Sequence, residues 1–158
     1  MKLYLSNAAF YNRAPFEKLE MHFEENEIAV LTAVNGRGKT TILSHIVDAF
    51  HEMARPFFQG DFKGKENQLY LLSSGIDNFD LARPSLVYLR FKTTSEEFFD
   101  YVNVRGTLTE DEYNAFDLPT NKIQFVQLKA SIDSSNCAIM VFPSLDKKKR
   151  NQFLTPTY

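Results

Sequence analysis

The sequence contains a single cysteine, Cys137, and no tryptophan. One cysteine excludes an internal disulfide framework and fits a reducing compartment, so we expect a cytoplasmic protein. No apolar run approaches the roughly 20 residues that a membrane span needs, and the first residues turn polar too early for a secretory signal peptide. These absences predict a protein that has no membrane partner.

An excess of charge of one sign is also missing. The sequence has 18 Lys and Arg residues against 20 Asp and Glu residues, which gives a net charge of −2. This balance provides no global electrostatic reason to bind nucleic acid. The basic run at 147–150 is either a solvated tail or a local contact for phosphate or nucleic acid. The three histidines lack the spacing of a metal site.

A strand, a glycine-containing turn and a helix follow one another in the first third of the chain. Alternating apolar residues predict strands at 2–10 and 18–23, and the continuous apolar run at 28–31 predicts a strand covered on both faces. Apolar residues at helical spacing predict a helix over 39–54, which Arg55 and Pro56 end. We assign this core to residues 1–56.

The remainder of the chain predicts more sheet. Residues 57–84 have poor periodicity and predict a loop or small insertion, with at most a short apolar element at 69–72. Residues 85–145 predict a hairpin and further strands, with a helix beginning at 109–112; the strand candidates lie at 86–92, 99–105, 123–128 and 137–142. The expected fold is α/β, with a mixed sheet around the loop-flanking helix and an antiparallel β portion.

The chemistry of the sequence is concentrated in residues 33–41, which we call the phosphate loop. Gly36 and Gly38 can adopt positive φ and bring successive N–H groups toward phosphate oxygens. The helix that starts near Lys39 adds its unpaired N–H groups and the positive end of its dipole. The pattern therefore predicts binding of a nucleoside triphosphate, through Asn35, Gly36, Arg37, Gly38, Lys39, Thr40 and Thr41.

Individual side chains of the loop have distinct predicted roles. The Lys39 ammonium should reach the β- and γ-phosphates, which makes Lys39 the candidate catalytic residue, and the Thr40 hydroxyl should ligate Mg²⁺. Thr41 should bond the α-phosphate side. The pattern Gly-x-x-x-x-Gly-Lys-Thr has alanine at its first position here, Ala33. Alanine is tolerated at that position unless its φ is positive.

The run from Asn35 to Thr41 is similar to the Asn-Gly-x-Gly-Lys-[Ser/Thr]-[Ser/Thr] form of ABC-type ATPase heads. The preceding order of a strand from residue 2, an aromatic segment ending in Arg13 and the segment 16–23 resembles the N-terminal lobe of the SMC/RecF/OLD branch. That branch includes ATPases of bacterial anti-phage systems such as Septu and PARIS. The resemblance covers residues 1–56, and beyond them only the hairpin at 86–105 and the strand before Pro143 and Ser144 fit.

The resemblance implies a P-loop NTPase fold, ATP and Mg²⁺ as cofactors, and ATP hydrolysis coupled to assembly of heads into a homodimer or higher oligomer. It also implies that Arg13 contacts the nucleotide; the alternative for Arg13 is a solvated loop arginine. The family's Asp-Glu strand end, Ser-Gly-Gly signature, glutamine and late histidine have no counterpart in the sequence. We therefore expect residues 1–158 to be an incomplete ATPase domain that binds ATP with little turnover. The alternative is a complete but diverged domain that only binds the nucleotide.

Two function classes remain open at this point. One is a nucleotide-gated scaffold in antiviral defence that holds a nuclease-like effector protein. The other is an ATP-driven clamp on DNA in repair or chromosome maintenance. A small nucleotide kinase is disfavoured, because the strands before the loop place it later in the chain than kinases do. GTP is disfavoured because Asn121 and Lys122 are not followed by the aspartate that reads guanine.

Overall fold

The computed structural model describes residues 2–54, 72–94, 98–116, 118 and 137–143. Within them the chain forms five strands, two α-helices and one 3-10 helix at Leu72–Gly75. In chain order the strands and α-helices are β1 (Leu3–Arg13), β2 (Phe16–His22), α1 (Lys39–Ala54), β3 (Ser85–Thr93), β4 (Phe98–Arg105), α2 (Glu110–Asn114) and β5 (Cys137–Pro143). The predicted helix at 39–54, the hairpin, the helix after Thr109 and the strand at 137–142 are confirmed.

The strands form one sheet in the order β2-β1-β3-β4-β5. Every ladder between them is antiparallel. This confirms the α/β class and the antiparallel portion built from the first strands and the hairpin. The mixed sheet is not observed, because no parallel pair occurs among the described strands. The predicted strand at 123–128 and the basic run at 147–150 lie outside the described residues.

Both faces of the sheet are covered, because successive side chains of a strand point to opposite faces. On one face, residues of β1, β3 and β4 pack against α1 in a cluster of Ala8, Phe10, Ile42, Ala49, Val87, Leu89, Phe91 and Tyr101. On the other face, the chain around α2 covers a second cluster, of Ala9, Tyr11, Leu86, Tyr88, Val102, Val104, Leu108 and Tyr113. The phosphate loop enters α1 and therefore belongs to the first face.

The predicted strand at 28–31 does not form. Glu27 N–H donates to the Glu24 carbonyl in a turn in which Asn26 has a φ of 64°. This turn takes the chain away from β2, so residues 28–31 join no ladder and Ile28 is 90% exposed. Ala29 and Leu31 instead line a groove beside α1. A strand also needs a neighbour to pair with, and the turn directs this run beside α1 rather than along the edge of β2.

The helices form for local reasons. Apolar residues of α1 at Ile42 and Ala49 face the sheet, while Leu43 and Val47 on the opposite side remain exposed. α2 begins with a capping box, in which the Thr109 side chain accepts from the Glu112 N–H and the Glu112 side chain accepts from the Thr109 N–H. None of the helices in the described part is long and apolar enough to cross a membrane.

Polar groups on α1 are buried with its apolar face. Asp48 accepts hydrogen bonds from the backbone N–H groups of Leu72 (2.7 Å) and Ser73 (3.0 Å), which attaches the 3-10 helix to α1. His45 is fully buried with its ring centroid 5.7 Å from that of Phe10. Neither ring nitrogen of His45 has a hydrogen-bond partner among the described residues.

The environment of His45 keeps its imidazole neutral. Burial, followed by the positive charges of Arg13 and Arg105, lowers the pKa of His45 to about 3. A protonated ring at this position would be an uncompensated buried charge beside two cations. The contact between α1 and the sheet is therefore sensitive to acid.

We expect acidification from pH 7.5 to pH 5 to destabilise the protein through His45. The folded-state pKa of about 3 lies below the 6.5 of an unperturbed histidine, so the unfolded chain binds more protons between these values. The stability from this group is complete above about pH 6.5 and is lost as the pH falls toward 3. At pH 5 the loss is about 2 kcal/mol. Urea unfolding at the two pH values measures it.

His45→Phe provides the test variant, since it keeps an aromatic ring and removes the titration. Its unfolding free energy should fall by about 2 kcal/mol less than that of the wild type over the same pH range. His22→Gln is the matched control, because the side chain of His22 is 64% exposed. An equal pH dependence in the wild type and His45→Phe would contradict the assignment.

The hairpin contains a buried ion pair that should be sensitive to a single substitution. The Arg90 guanidinium donates to both carboxylate oxygens of Asp100 at 2.7 Å, and the Tyr88 hydroxyl donates to the same group at 2.9 Å. Asp100→Ala removes the acceptor and leaves a largely buried cation without it, so we expect a loss of about 3 kcal/mol in urea unfolding. Asp77→Ala, at an exposed carboxylate, should change the value by less than about 0.5 kcal/mol.

Candidate phosphate-binding site

The phosphate loop has the backbone that its two glycines predict. Gly36 has a φ of 80° and Gly38 a φ of 92°. Arg37 N–H donates to the Val34 carbonyl at 3.3 Å, which closes a turn with Gly36 at its third position, where type II turns need positive φ. Asn35, Gly36 and Arg37 are all exposed. The loop therefore presents its main chain to solvent immediately before α1.

Ala33 replaces the first glycine of the pattern without strain. Among the described residues other than glycine, only Asn12 and Asn26 have positive φ. Ala33 consequently adopts a φ that any L-residue can adopt. The departure from the glycine pattern at position 33 does not distort the loop.

Lys39 lies at the N-terminus of α1 and reaches back across the loop. Its ammonium donates to the carbonyls of Ala33 at 2.5 Å and Val34 at 3.3 Å. The Lys39 side chain thus joins the start of the loop to the first residue of α1. The cationic group lies beside the main chain that the two glycines shape.

The positive charge of the loop is not locally neutralised. Neither Lys39 nor exposed Arg37 forms an ion pair with a carboxylate in the part of the chain that the structure describes. The N-terminus of α1 adds the partial positive charge of its unpaired N–H groups. Two side-chain cations and a helix N-terminus therefore converge on one exposed loop, which favours an anion.

The two threonines differ in accessibility. Thr40 is exposed in the first turn of α1, where its hydroxyl can reach a ligand at the loop. Thr41 is 7% exposed, and its hydroxyl donates to the Ala14 carbonyl at 3.1 Å. A contact between Thr41 and the α-phosphate would require that hydrogen bond to be exchanged. The structure thus places Asn35, Gly36, Arg37 and Thr40 at the surface, leaves Lys39 half-buried and Gly38 buried, and turns Thr41 inward.

Arg13 occupies a different environment from either of those expected. Its side chain is fully buried, so it is not a solvated loop arginine. The guanidinium donates to Asn103 Oδ1 at 3.0 Å and to the Ile76 carbonyl at 3.3 Å. Arg13 therefore links β1 to β4 and to the chain after the 3-10 helix, and it has no exposed surface to offer a nucleotide.

The groups available for a metal ion at the loop are few. No cluster of three His, Cys, Asp or Glu side chains suitable for a metal occurs among the described residues. Mg²⁺ that arrives with a triphosphate needs little more from the protein than a hydroxyl, since it keeps water and phosphate ligands. The exposed Thr40 hydroxyl at the helix N-terminus fits that requirement.

Sequence reasoning missed the role of Phe16. The ring of Phe16, at the start of β2, lies directly against Gly38 in the loop. No spacing in the sequence signals this contact, because it joins segments 22 residues apart that meet only when α1 packs on the sheet.

Comparisons with known proteins add no further information on this site. No protein-family model, no curated protein and no solved structure matches the chain.

Proposed function

We propose that the phosphate loop binds the triphosphate of a nucleotide, ATP with Mg²⁺. One observation carries this proposal: two positive-φ glycines and two cations without a described carboxylate partner lie at the exposed N-terminus of α1. Each feature alone is common. Together they provide main-chain donors, a helix dipole and positive charge within one short segment, which is what a polyanion needs.

Each part of the loop has a defined task in this proposal. Main-chain N–H groups of the loop donate to phosphate oxygens, except that of Arg37, which already donates to the Val34 carbonyl. Lys39 exchanges its carbonyl acceptors for the β- and γ-phosphates. Thr40 supplies a hydroxyl to Mg²⁺, and Arg37 adds a second positive charge at the mouth of the loop. Bound Mg²⁺ neutralises charge on the phosphates. The loop itself binds and orients the triphosphate.

Binding and orientation are what the described residues can supply. Phosphoryl transfer to water also requires a group that positions or activates the water. The hydrogen bonds and ion pairs of the described residues place no carboxylate on the loop. We therefore propose that this chain binds ATP with little or no turnover, and that hydrolysis belongs to the complete ATPase.

We further propose that the chain is the N-terminal lobe of an SMC/RecF-like ATPase head with a P-loop NTPase fold. The support is the antiparallel sheet and the loop-flanking helix on one of its faces. Of the two function classes, the net charge of −2 favours the scaffold that binds a protein effector over the clamp on DNA. In that role, ATP gates the assembly of heads.

Replacing Lys39 with alanine tests the binding proposal. The variant loses a charge-assisted contact with phosphate, worth about 1.5–3 kcal/mol, so its affinity for MgATP should fall by about 10- to 100-fold. Isothermal titration calorimetry with MgATP measures the affinity. Lys18→Ala is the matched control, because Lys18 is an exposed lysine that pairs with Glu20 in β2. Wild-type protein that does not bind MgATP, or a Lys39→Ala variant with unchanged affinity, would contradict the proposal.

The absence of turnover is a separate prediction. We expect phosphate release from MgATP by the purified 158-residue chain to stay at the rate of the Lys39→Ala variant. A continuous phosphate-release assay at saturating MgATP measures this rate. Steady-state hydrolysis that Lys39→Ala abolishes would show that the chain contains its own catalytic water-activating group.

A further inference from the structure

The turn between β1 and β2 contacts the phosphate loop at two points. The first is the ring of Phe16 against Gly38. A Cβ atom added to Gly38 would overlap Cζ of Phe16 and lie 2.8 Å from each Cε, so a side chain at position 38 would require the ring to move. The glycine at 38 is thus required for close approach as well as for its φ.

The second contact joins the same turn to the start of α1. The Thr41 hydroxyl donates to the Ala14 carbonyl at 3.1 Å, two residues before Phe16. The turn holds the chain on both sides of Lys39, at Gly38 and at Thr41. Lys39 and Thr40 lie between these two contacts and face outward.

The turn is itself held in place by the sheet and by the chain after the 3-10 helix. Phe16 packs on the fully buried Phe10, with ring centroids 5.7 Å apart and an interplanar angle of 56°. Ala14 N–H donates to the Asp77 carbonyl at 3.1 Å, and Arg13 forms a bridge to Asn78. The contact surface that the turn offers to the loop is therefore rigid.

We propose that the β1–β2 turn is a positioning element for the phosphate loop, with Phe16 as its positioning residue. The inference rests on the proposed function of the loop. The Phe16 ring sets the path of the main chain at Gly38, so the N–H groups that follow are directed to the phosphate before a ligand arrives. Donors fixed in advance need no reorganisation on binding, which increases affinity.

Gly36 provides an internal comparison for this inference. Gly36 and Gly38 have similar φ values, 80° and 92°, but nothing lies within 4 Å of a Cβ added at Gly36. Alanine at either position introduces the same kind of backbone strain. Only at position 38 does alanine also collide with Phe16, so only there can a change at Phe16 relieve part of the effect.

The first experiment separates affinity from stability. Phe16→Leu and Phe16→Ala should lower the affinity for MgATP in calorimetry by about 5- and 20-fold, while circular dichroism confirms that the variants are folded. Phe99→Ala is the matched control, because Phe99 is a partly buried phenylalanine of the same apolar cluster. It should lower the thermal midpoint comparably and leave MgATP affinity within about twofold of the wild type.

The second experiment tests the contact itself by rescue. Adding Phe16→Ala to Gly38→Ala should raise MgATP affinity at least threefold above that of Gly38→Ala alone, because the collision is removed. Adding Phe16→Ala to Gly36→Ala should lower the affinity further, because that background has no collision to relieve. A residue that only stabilises the fold would not change MgATP affinity in opposite directions in the two backgrounds.

The outcomes distinguish this inference from the proposed function. Two results overturn the positioning role and leave nucleotide binding intact. In the first, the wild type binds MgATP and both Phe16→Leu and Phe16→Ala bind it equally well. In the second, Phe16→Ala has the same effect on affinity in the Gly36→Ala and Gly38→Ala backgrounds. A wild-type protein that binds no MgATP overturns the proposed function, and the positioning role with it. Reduced affinity with rescue only at Gly38 supports both.

Discussion

The packing of α1 against one face of the sheet determines where the phosphate loop lies. Ile42 and Ala49 of the helix enter the cluster around Phe10, and this contact brings residues 38–41 beside the β1–β2 turn. Without it, Gly36 and Gly38 would still be flexible residues before a helix, but nothing would fix their main chain. Anion binding by a loop depends on donors that are already oriented, and here the orientation is a consequence of core packing.

Buried polar groups extend the same constraint into the chain after α1. Asp48 holds the N–H groups at the start of the 3-10 helix, and Arg105 donates to the Ser73 and Ile76 carbonyls in the same region. Arg13 of β1 also donates to the Ile76 carbonyl, so this region is bonded to β1 as well. A buried polar group that loses its partners costs free energy, so these hydrogen bonds favour one arrangement of α1, β1 and residues 72–80. The loop is attached to this arrangement through Thr41.

The elements that sequence reasoning identified correctly are those whose signals are local. The helix at 39–54 has apolar residues at helical spacing, the hairpin at 86–105 has two apolar segments separated by a polar one, and Thr109 and Glu112 form the capping box that their spacing predicts. The glycines of the candidate site are a local signal too, because glycine adopts positive φ without strain, and Gly36 and Gly38 both have it. The predicted strand at 28–31 does not form. Apolar composition indicates only that these residues favour burial, and the turn at 24–27 leads the chain away from the described strands.

Residue types alone establish the chemistry of the loop: which residues can have positive φ, where a helix begins, and which side chains carry the positive charge. Which of these groups reach the surface depends on how the sheet and α1 pack. This packing turns Thr41 inward to Ala14, buries Arg13 between Asn103 and Ile76, and places Phe16 against Gly38. The physical reason is that φ and charge belong to single residues, whereas exposure and contact belong to pairs of segments that meet only when the sheet and α1 pack together.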